Sequence, residues 1–223
     1  MGVDLLPPIG LTLTRGVITM ETNYPPAYER YNTQYGGALE TVGFSLYDSQ
    51  IYDSTVTTLL TYFTTVQATI ARGNLQIAGA LANPNAFLIR AIRFYSRFRP
   101  WDITTAATGN PQTGALDDQV QLLNSGTLIL TIGAKNYGQW PLWMITAGGG
   151  AVAQGFTGVT LSTGGVTNGH PDPRAVYSLA KPLFIAPQIS FKVDIQWPAA
   201  LTLTQDDIAH YVVLDGDLLR PVQ

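Results

Sequence analysis

The clearest alternation of apolar and polar residues runs through 189-ISFKVDIQW-197. A period of two is typical of a β-strand that buries one face, because successive side chains point to opposite sides. The pattern therefore predicts a strand with one set of residues in the core and the other facing solvent or a partner. The core set is Ile189, Phe191, Val193, Ile195 and Trp197, and the outward set is Ser190, Lys192, Asp194 and Gln196.

The same period recurs in shorter runs, which predicts further strands with one buried face. The inward positions are Leu128, Leu130 and Ile132, then Leu201 and Leu203, and then Val212 and Leu214. After them, Asp215-Gly216-Asp217 predicts a tight turn, with Leu218-Leu219 resuming the strand.

Residues 86–99 are predicted to form a strand with two largely apolar faces. One face holds Phe87, Ile89, Ala91, Arg93 and Tyr95, and the other holds Leu88, Arg90, Ile92 and Phe94. Apolar residues on both faces indicate a central strand that is covered on both sides. Pro100 ends the pairing, because proline has no amide hydrogen to donate.

Thr, Tyr and Val dominate 55-TVTTLLTYFTTVQATI-70, and these residue types favour strands across residues 41–71. A helix from Leu59 to Ala71 is the alternative, because apolar residues would then share one helical face. That face would hold Leu59, Phe63, Val66 and Ile70.

Two segments lack clear alternation. Residues 1–36 are rich in Pro, Thr and Tyr, and Pro7-Pro8 and Pro25-Pro26 favour extended backbone. We therefore expect an extended N-terminal arm over residues 1–36, lying on a neighbour or on its own sheet, and a single domain over residues 37–223. Residues 136–171 carry no charge and many glycines, which predicts a long contact loop or a flexible one.

The composition is low in charge. Of 223 residues, 12% are charged and 46% are hydrophobic, with a net charge of −3 and no cysteine. This length suits one β domain, and the hydrophobic share excludes a disordered chain. Few charges mean a low desolvation cost when the surface meets another protein, so we expect self-association. A monomer with a Thr, Ser, Asn and Gln surface is the alternative.

The sequence offers little for catalysis. It has no G-x-S-x-G, no H-E-x-x-H and no Lys-Ser or Lys-Thr pair after its glycine run. His170 lies in a turn, and His210 is interpreted as a structural residue rather than as part of a His–Asp pair. We therefore expect no enzyme, no cofactor and no metal site.

One local cluster of charge stands out, formed by Arg90, Arg93, Arg97 and Arg99. It is a candidate site for nucleic acid, anionic lipid or the acidic residues of a neighbour. The predicted strand places Arg90 and Arg93 on opposite faces, which argues against a single basic patch. We expect packing and subunit contacts, and no direct binding of nucleic acid.

The chain resembles the jelly-roll capsid proteins of tailless icosahedral bacterial viruses over roughly residues 73–223. The resemblance lies in Gly73–Leu81 followed by Phe87–Arg93, in Gly126–Gly133, in Pro182–Pro198 and in Leu214–Gln223. It implies an all-β fold, a single eight-stranded jelly-roll sandwich of two four-stranded sheets. It also implies assembly with copies of itself and other capsid proteins around a genome, often over an internal lipid membrane.

The expected function is therefore that of a structural capsid shell subunit, made in the host cytoplasm and located in the virion. Candidate subunit contacts are the four arginines with Trp101, Trp140 and Trp143. A spike, penton or decoration protein of the same virion is one alternative. A non-catalytic glycan-binding β-sandwich is the other, and it would use the same tryptophans as a platform.

Overall fold

Two antiparallel four-stranded sheets pack face to face around the main hydrophobic core in the computed structural model of the chain. The structure describes residues 25–34, 39–53, 57–98, 113–147, 152–156, 163–167, 176–203 and 207–222. The helices are α1 Pro26–Gln34, α2 Thr113–Ser125 and α3 Leu142–Ile145. The strands are β1 Leu39–Tyr52, β2 Leu59–Tyr62, β3 Ala86–Phe98, β4 Thr127–Ile132, β5 Lys135–Pro141, β6 Val152–Phe156, β7 Thr163–Thr167, β8 Tyr177–Ile185, β9 Phe191–Gln196 and β10 Ile208–Pro221.

The first sheet has the strand order β1-β10-β3-β8, and the second has the order β2-β9-β4-β5. Strands β6 and β7 form a separate two-stranded sheet. The all-β fold predicted from the sequence is confirmed as a mostly β sandwich of two four-stranded sheets, to which helices α1, α2 and α3 are added. Among the described residues, no helix is both long enough and apolar enough to cross a membrane.

The strands predicted from simple alternation are confirmed in β4 and β9. Their inward residues are buried, namely Leu128, Leu130, Ile132, Phe191, Val193, Ile195 and Trp197. Ile189 is an exception, because β9 begins at Phe191 and the Ile189 side chain is 43% exposed. Asp194 is another exception, since it is buried between the Thr61 hydroxyl and the Lys192 ammonium group, each 2.7 Å from its carboxylate.

Strand β3 changes face part-way along its length. Phe87 and Ile89 belong to the main core, but so do Ile92 and Phe94, which the simple alternation placed on the opposite face. The pairing with β10 explains this, because Gly216 lies opposite Ile89 and Asp215 lies opposite Ala91. Arg90 is thus an extra residue, a β-bulge that shifts the phase of the strand. The prediction of two regular faces is wrong, because a bulge cannot be read from one strand alone.

The predicted turn at Asp215-Gly216-Asp217 is also wrong, because β10 runs through these residues without a break. They sit at the bulge instead. A Cβ atom at Gly216 would overlap the carbonyl oxygen of Leu88 on the neighbouring strand. Glycine is needed here for close approach of two backbones, which is a common use of glycine inside a strand.

Strands β1 and β2 confirm the preferred strands for residues 41–52 and 59–62, but residues 63–71 form bends and turns, so the strand prediction is wrong there. The alternative helix from Leu59 to Ala71 does not form. The following loop is held by Asp48 on β1. Its buried carboxylate accepts hydrogen bonds from the amides of Phe63 (2.5 Å) and Ser49 (2.7 Å) and from Gln67 Nε2 (2.6 Å). Burial raises the pKa of Asp48.

The expected extended conformation is wrong for residues 26–34, which form helix α1. Pro26 is its first residue, where the missing amide hydrogen costs nothing. Tyr31 is buried in a second cluster with Leu88, Phe184 and Leu219, so the helix packs on the outer face of its own first sheet. Residues 1–24 and 35–36 of the predicted arm lie outside the described residues, as does His170.

The stretch 136–171 was predicted to be one long loop, and this is wrong for its described parts. They contain most of β5, helix α3 and the hairpin of β6 and β7. Backbone hydrogen bonding between strands, rather than side-chain alternation, defines these elements. Glycine-rich strands such as β7 give little periodic signal in the sequence.

Candidate functional site

The outer face of the first sheet carries most of the polar and aromatic groups that could form a binding site. Side chains of β10 point alternately to the two sides of this sheet. Val212 and Leu214 point into the core, whereas Asp215 and Asp217 form ion pairs on the outer face. Helix α1 covers one end of this face, where Tyr31 of the helix lies in one buried cluster with Leu219 of β10. The rest divides into a charged zone and a tyrosine-lined groove.

The charged zone consists of two arginine–aspartate pairs between β3 and β10. Arg90 Nε lies 2.5 Å from Asp217 Oδ2. Arg93 binds Asp215 through two hydrogen bonds, from Nε at 2.5 Å and from Nη2 at 2.8 Å. A bidentate pair of this kind is stronger and more directional than a single contact.

The bulge at Arg90 brings both arginines to the same face, so their predicted placement on opposite faces is wrong. Each is nevertheless paired with its own aspartate, and the zone is nearly neutral rather than basic. Neutral pairs do not provide the electrostatic attraction that nucleic acid binding requires. Arg97 lies in β3, but its side chain is outside the described part, as are Arg99 and Trp101.

The groove lies beside the charged zone on the same face and has a volume of about 420 Å³. Three tyrosines from three neighbouring strands line it, Tyr47 on β1, Tyr211 on β10 and Tyr95 on β3. Tyr95 and Tyr211 are directly opposite in the strand register, and their ring centroids are 6.0 Å apart with the planes at 60°. Ser45, Arg93 and Val213 complete this part of the lining.

Two contacts fix the polar edge of the groove. The Tyr47 hydroxyl donates a hydrogen bond to the carbonyl oxygen of Ile70 at 2.6 Å. The Ser45 hydroxyl lies 2.5 Å from Asp215 Oδ1, the same carboxylate that holds Arg93. Because these groups are anchored before any ligand arrives, little side-chain entropy remains to be lost on binding.

The two candidate tryptophans that the structure describes, Trp140 and Trp143, do not form a shared platform. Trp140 packs against the main core, with its ring 6.2 Å from that of Tyr177 and close over the backbone of Gly138. Trp143 on helix α3 is 61% exposed, beside the exposed Met144. Trp143 therefore remains a candidate contact residue, whereas Trp140 serves mainly packing.

His210 is a buried core residue, as interpreted from the sequence. Its ring is fully buried, with its centroid 5.1 Å from that of Phe94, 5.9 Å from Trp197 and 6.1 Å from Tyr52. Within the described ranges neither ring nitrogen has a hydrogen-bond partner. Burial lowers the pKa of His210 to about 3. The described residues contain no cluster of His, Asp and Glu side chains that could hold a metal ion.

No protein-family model matches the chain, and no curated protein matches it significantly.

Sequence reasoning identified Arg90 and Arg93 but missed their partners and the tyrosines. The missed signal is the outward half of β10, where Tyr211, Val213, Asp215 and Asp217 follow one another at every second position. A strand with aromatic and acidic residues on its outer face can form a surface site. The interruption by Gly216 hid this pattern, because Asp-Gly also indicates a turn.

Proposed function

We propose that this chain is a single jelly-roll capsid subunit that assembles with copies of itself and other capsid proteins into a virion shell. The supporting observation is the order of strands in the two sheets, β1-β10-β3-β8 and β2-β9-β4-β5. Apart from the β4–β5 hairpin and the β6–β7 insertion, successive strands alternate between the sheets. Wrapping of this kind is typical of eight-stranded jelly rolls, a fold that occurs in viral capsid proteins and in lectins.

The surface chemistry supports assembly over catalysis. The low charge content lowers the cost of removing water from a subunit contact. Exposed Trp143 and Met144 on α3, with Val120 on the neighbouring α2, offer apolar and aromatic area suited to such a contact. In a closed lattice each contact can be weak, because symmetry repeats it and bound neighbours raise the effective concentration.

Assembly is tested by light scattering and negative-stain microscopy of purified protein over a range of concentration. The proposal expects closed shells or sheets of a repeating lattice. Discrete trimers or pentamers alone would favour the spike, penton or decoration protein. A monomer under all conditions, including high protein concentration, would overturn the capsid subunit.

A matched pair of variants tests the contact at α3. Trp143→Ser removes the exposed ring, and Trp143→Phe retains an apolar ring of smaller size. We expect the serine variant to shift assembly to higher protein concentration and the phenylalanine variant to assemble close to normally. Both should have the wild-type free energy of unfolding, because the ring is mostly exposed. If both variants assemble at the same protein concentration as the wild type, Trp143 is excluded from the contact.

A further inference from the structure

We infer that the tyrosine groove of the first sheet, lined by Tyr47, Tyr95 and Tyr211, binds a neutral oligosaccharide. This inference does not depend on assembly, because an isolated subunit carries the same groove. Its basis is the combination of three aromatic rings with one neutral, bidentate arginine–aspartate pair on the same face.

The shape of the groove suits one or two sugar rings. Its volume of about 420 Å³ falls within the range of small-ligand sites, roughly 300–1,000 Å³. The three tyrosines come from three adjacent, hydrogen-bonded strands, so their spacing is set by the sheet. Tyrosine also provides large contact area with few rotatable bonds, which keeps the entropy cost of binding low.

The chemistry of the lining matches a sugar in two ways. An aromatic ring has an electron-rich face that attracts polarised C–H groups, and a sugar ring presents such groups on its apolar side. The hydroxyl groups at the rim of the sugar both donate and accept hydrogen bonds. Arg93 uses two of its five N–H donors on Asp215, so further donors remain to bind a sugar hydroxyl.

Other ligand classes fit less well. A phosphate or carboxylate would meet an arginine whose charge Asp215 already neutralises. A nucleic acid strand could stack on the tyrosines, but the chain has a net charge of −3, and the two arginines described on this face, Arg90 and Arg93, are each paired with an aspartate. A purely aliphatic ligand would remove water from the N–H groups of Arg93 without replacing those hydrogen bonds. A neutral polyhydroxylated ligand avoids all three penalties.

The test begins with a glycan array that contains neutral, sialylated and sulfated oligosaccharides. The neutral oligosaccharide retained most strongly is then titrated against the wild-type protein and its variants by saturation-transfer NMR and calorimetry. We expect retention of neutral glycans with little preference for the acidic ones. Retention of no neutral glycan, or a clear preference for acidic glycans, overturns the inference.

Variants locate the binding to the groove. Tyr211→Ala is expected to weaken binding about tenfold or more, whereas Tyr211→Phe, which keeps the ring, should retain most of it. Arg93→Lys keeps the charge but loses the planar fork, and should also weaken binding. Tyr137→Ala is the matched control, because Tyr137 is an exposed tyrosine on the second sheet.

Folding must be separated from binding in this comparison, so each variant is also unfolded in urea. Loss of binding in Tyr211→Ala with an unfolding free energy near that of Tyr137→Ala supports the groove. Equal binding by Tyr211→Ala and the wild type overturns it. If Tyr211 is instead buried against a second copy of the chain and no saccharide is retained, the groove is a subunit contact and the inference is wrong.

Discussion

The backbone of Gly216 lies directly against the carbonyl oxygen of Leu88, where the bulge at Arg90 brings β10 and β3 together. This approach lets both strands continue through the bulge. It also fixes the register that places Arg90 and Arg93 on one face.

Replacement of Gly216 by alanine should therefore destabilise the fold by at least about 2 kcal/mol, because the added methyl group overlaps backbone that cannot move freely. Gly43→Ala on β1 is the matched control, since a Cβ atom there meets nothing within 4 Å. Urea unfolding should show a large loss for Gly216→Ala and a change within about 1 kcal/mol for Gly43→Ala. Equal effects would show that the close approach is not a constraint.

Phe191 and Lys192 are neighbours in β9 with opposite exposure. Phe191→Ala should cost about 3–5 kcal/mol, because it removes a buried ring that packs on Phe63. Lys192→Ala should cost less than about 1 kcal/mol, since it removes one partly exposed ion pair with Asp194. A denaturant series with similar losses for both would contradict this strand register.

His210 should make the fold less stable in acid. Its pKa is about 3 in the fold and near 6.5 when unfolded, so the unfolded chain takes up the proton first as the pH falls. The stability that the neutral, buried His210 contributes is fully present above about pH 6.5 and is lost progressively towards pH 3, with a full effect on the order of 5 kcal/mol.

His210→Leu should remove this part of the pH dependence. Asp48, whose raised pKa favours the fold at low pH, is present in both proteins and cancels in the comparison. Unfolding free energies measured from pH 7.5 down to pH 4.5 should converge between wild type and variant as the pH falls, or the variant should become the more stable. A constant difference across this range would mean that His210 does not titrate with unfolding.

Asp48 should be needed to hold the loop that follows β2. Asp48→Ala removes the acceptor for the buried amide of Phe63 and should cost about 1–3 kcal/mol. Hydrogen exchange at the Phe63 amide should become faster than at amides of β4. Unchanged protection at Phe63 would show that the carboxylate does not hold this loop.

Because Arg90 and Arg93 are neutralised by aspartates, the protein is expected to bind nucleic acid only weakly and without sequence specificity. Wild-type protein should show no steeply salt-dependent binding to DNA or RNA. The double variant Asp215→Asn with Asp217→Asn leaves both arginines without their acidic partners and should bind more strongly at low salt than the wild type. Strong, salt-sensitive binding by the wild type, abolished in Arg90→Ala with Arg93→Ala, would contradict this interpretation.

Sequence alone predicted the strands whose two faces differ and missed the features that depend on a partner strand. The alternation in β9 is readable because Phe191, Val193 and Ile195 each lie between polar neighbours. The bulge at Arg90 is invisible in β3 itself, because both of its faces are apolar and either phase looks acceptable. It becomes evident only from the register with β10.

The candidate site was only partly predictable, because its groups also come from strands that are distant in the sequence. The arginines stand out as a local cluster of charge, but their partners are more than a hundred residues away in the sequence, at Asp215 and Asp217. The three groove tyrosines lie on three separate strands, so no local motif links them. Helix α1 was missed because Pro25-Pro26 indicates extended backbone, although proline is also well suited to the first position of a helix.

The bulge has a consequence for how the gene can vary at this point. Many side chains could replace Arg90, because its own side chain is about half exposed and its ion pair lies at the surface. Loss of its codon should also be tolerated, because Ile89 and Ala91 already lie opposite Gly216 and Asp215, which are consecutive in β10. Without Arg90 the ladder becomes regular, and Ile92 and Phe94 keep their places in the core. A deletion of Arg90 should therefore be far less damaging than a deletion inside β9, which pairs on both sides without a bulge, so that the rest of that strand would exchange faces.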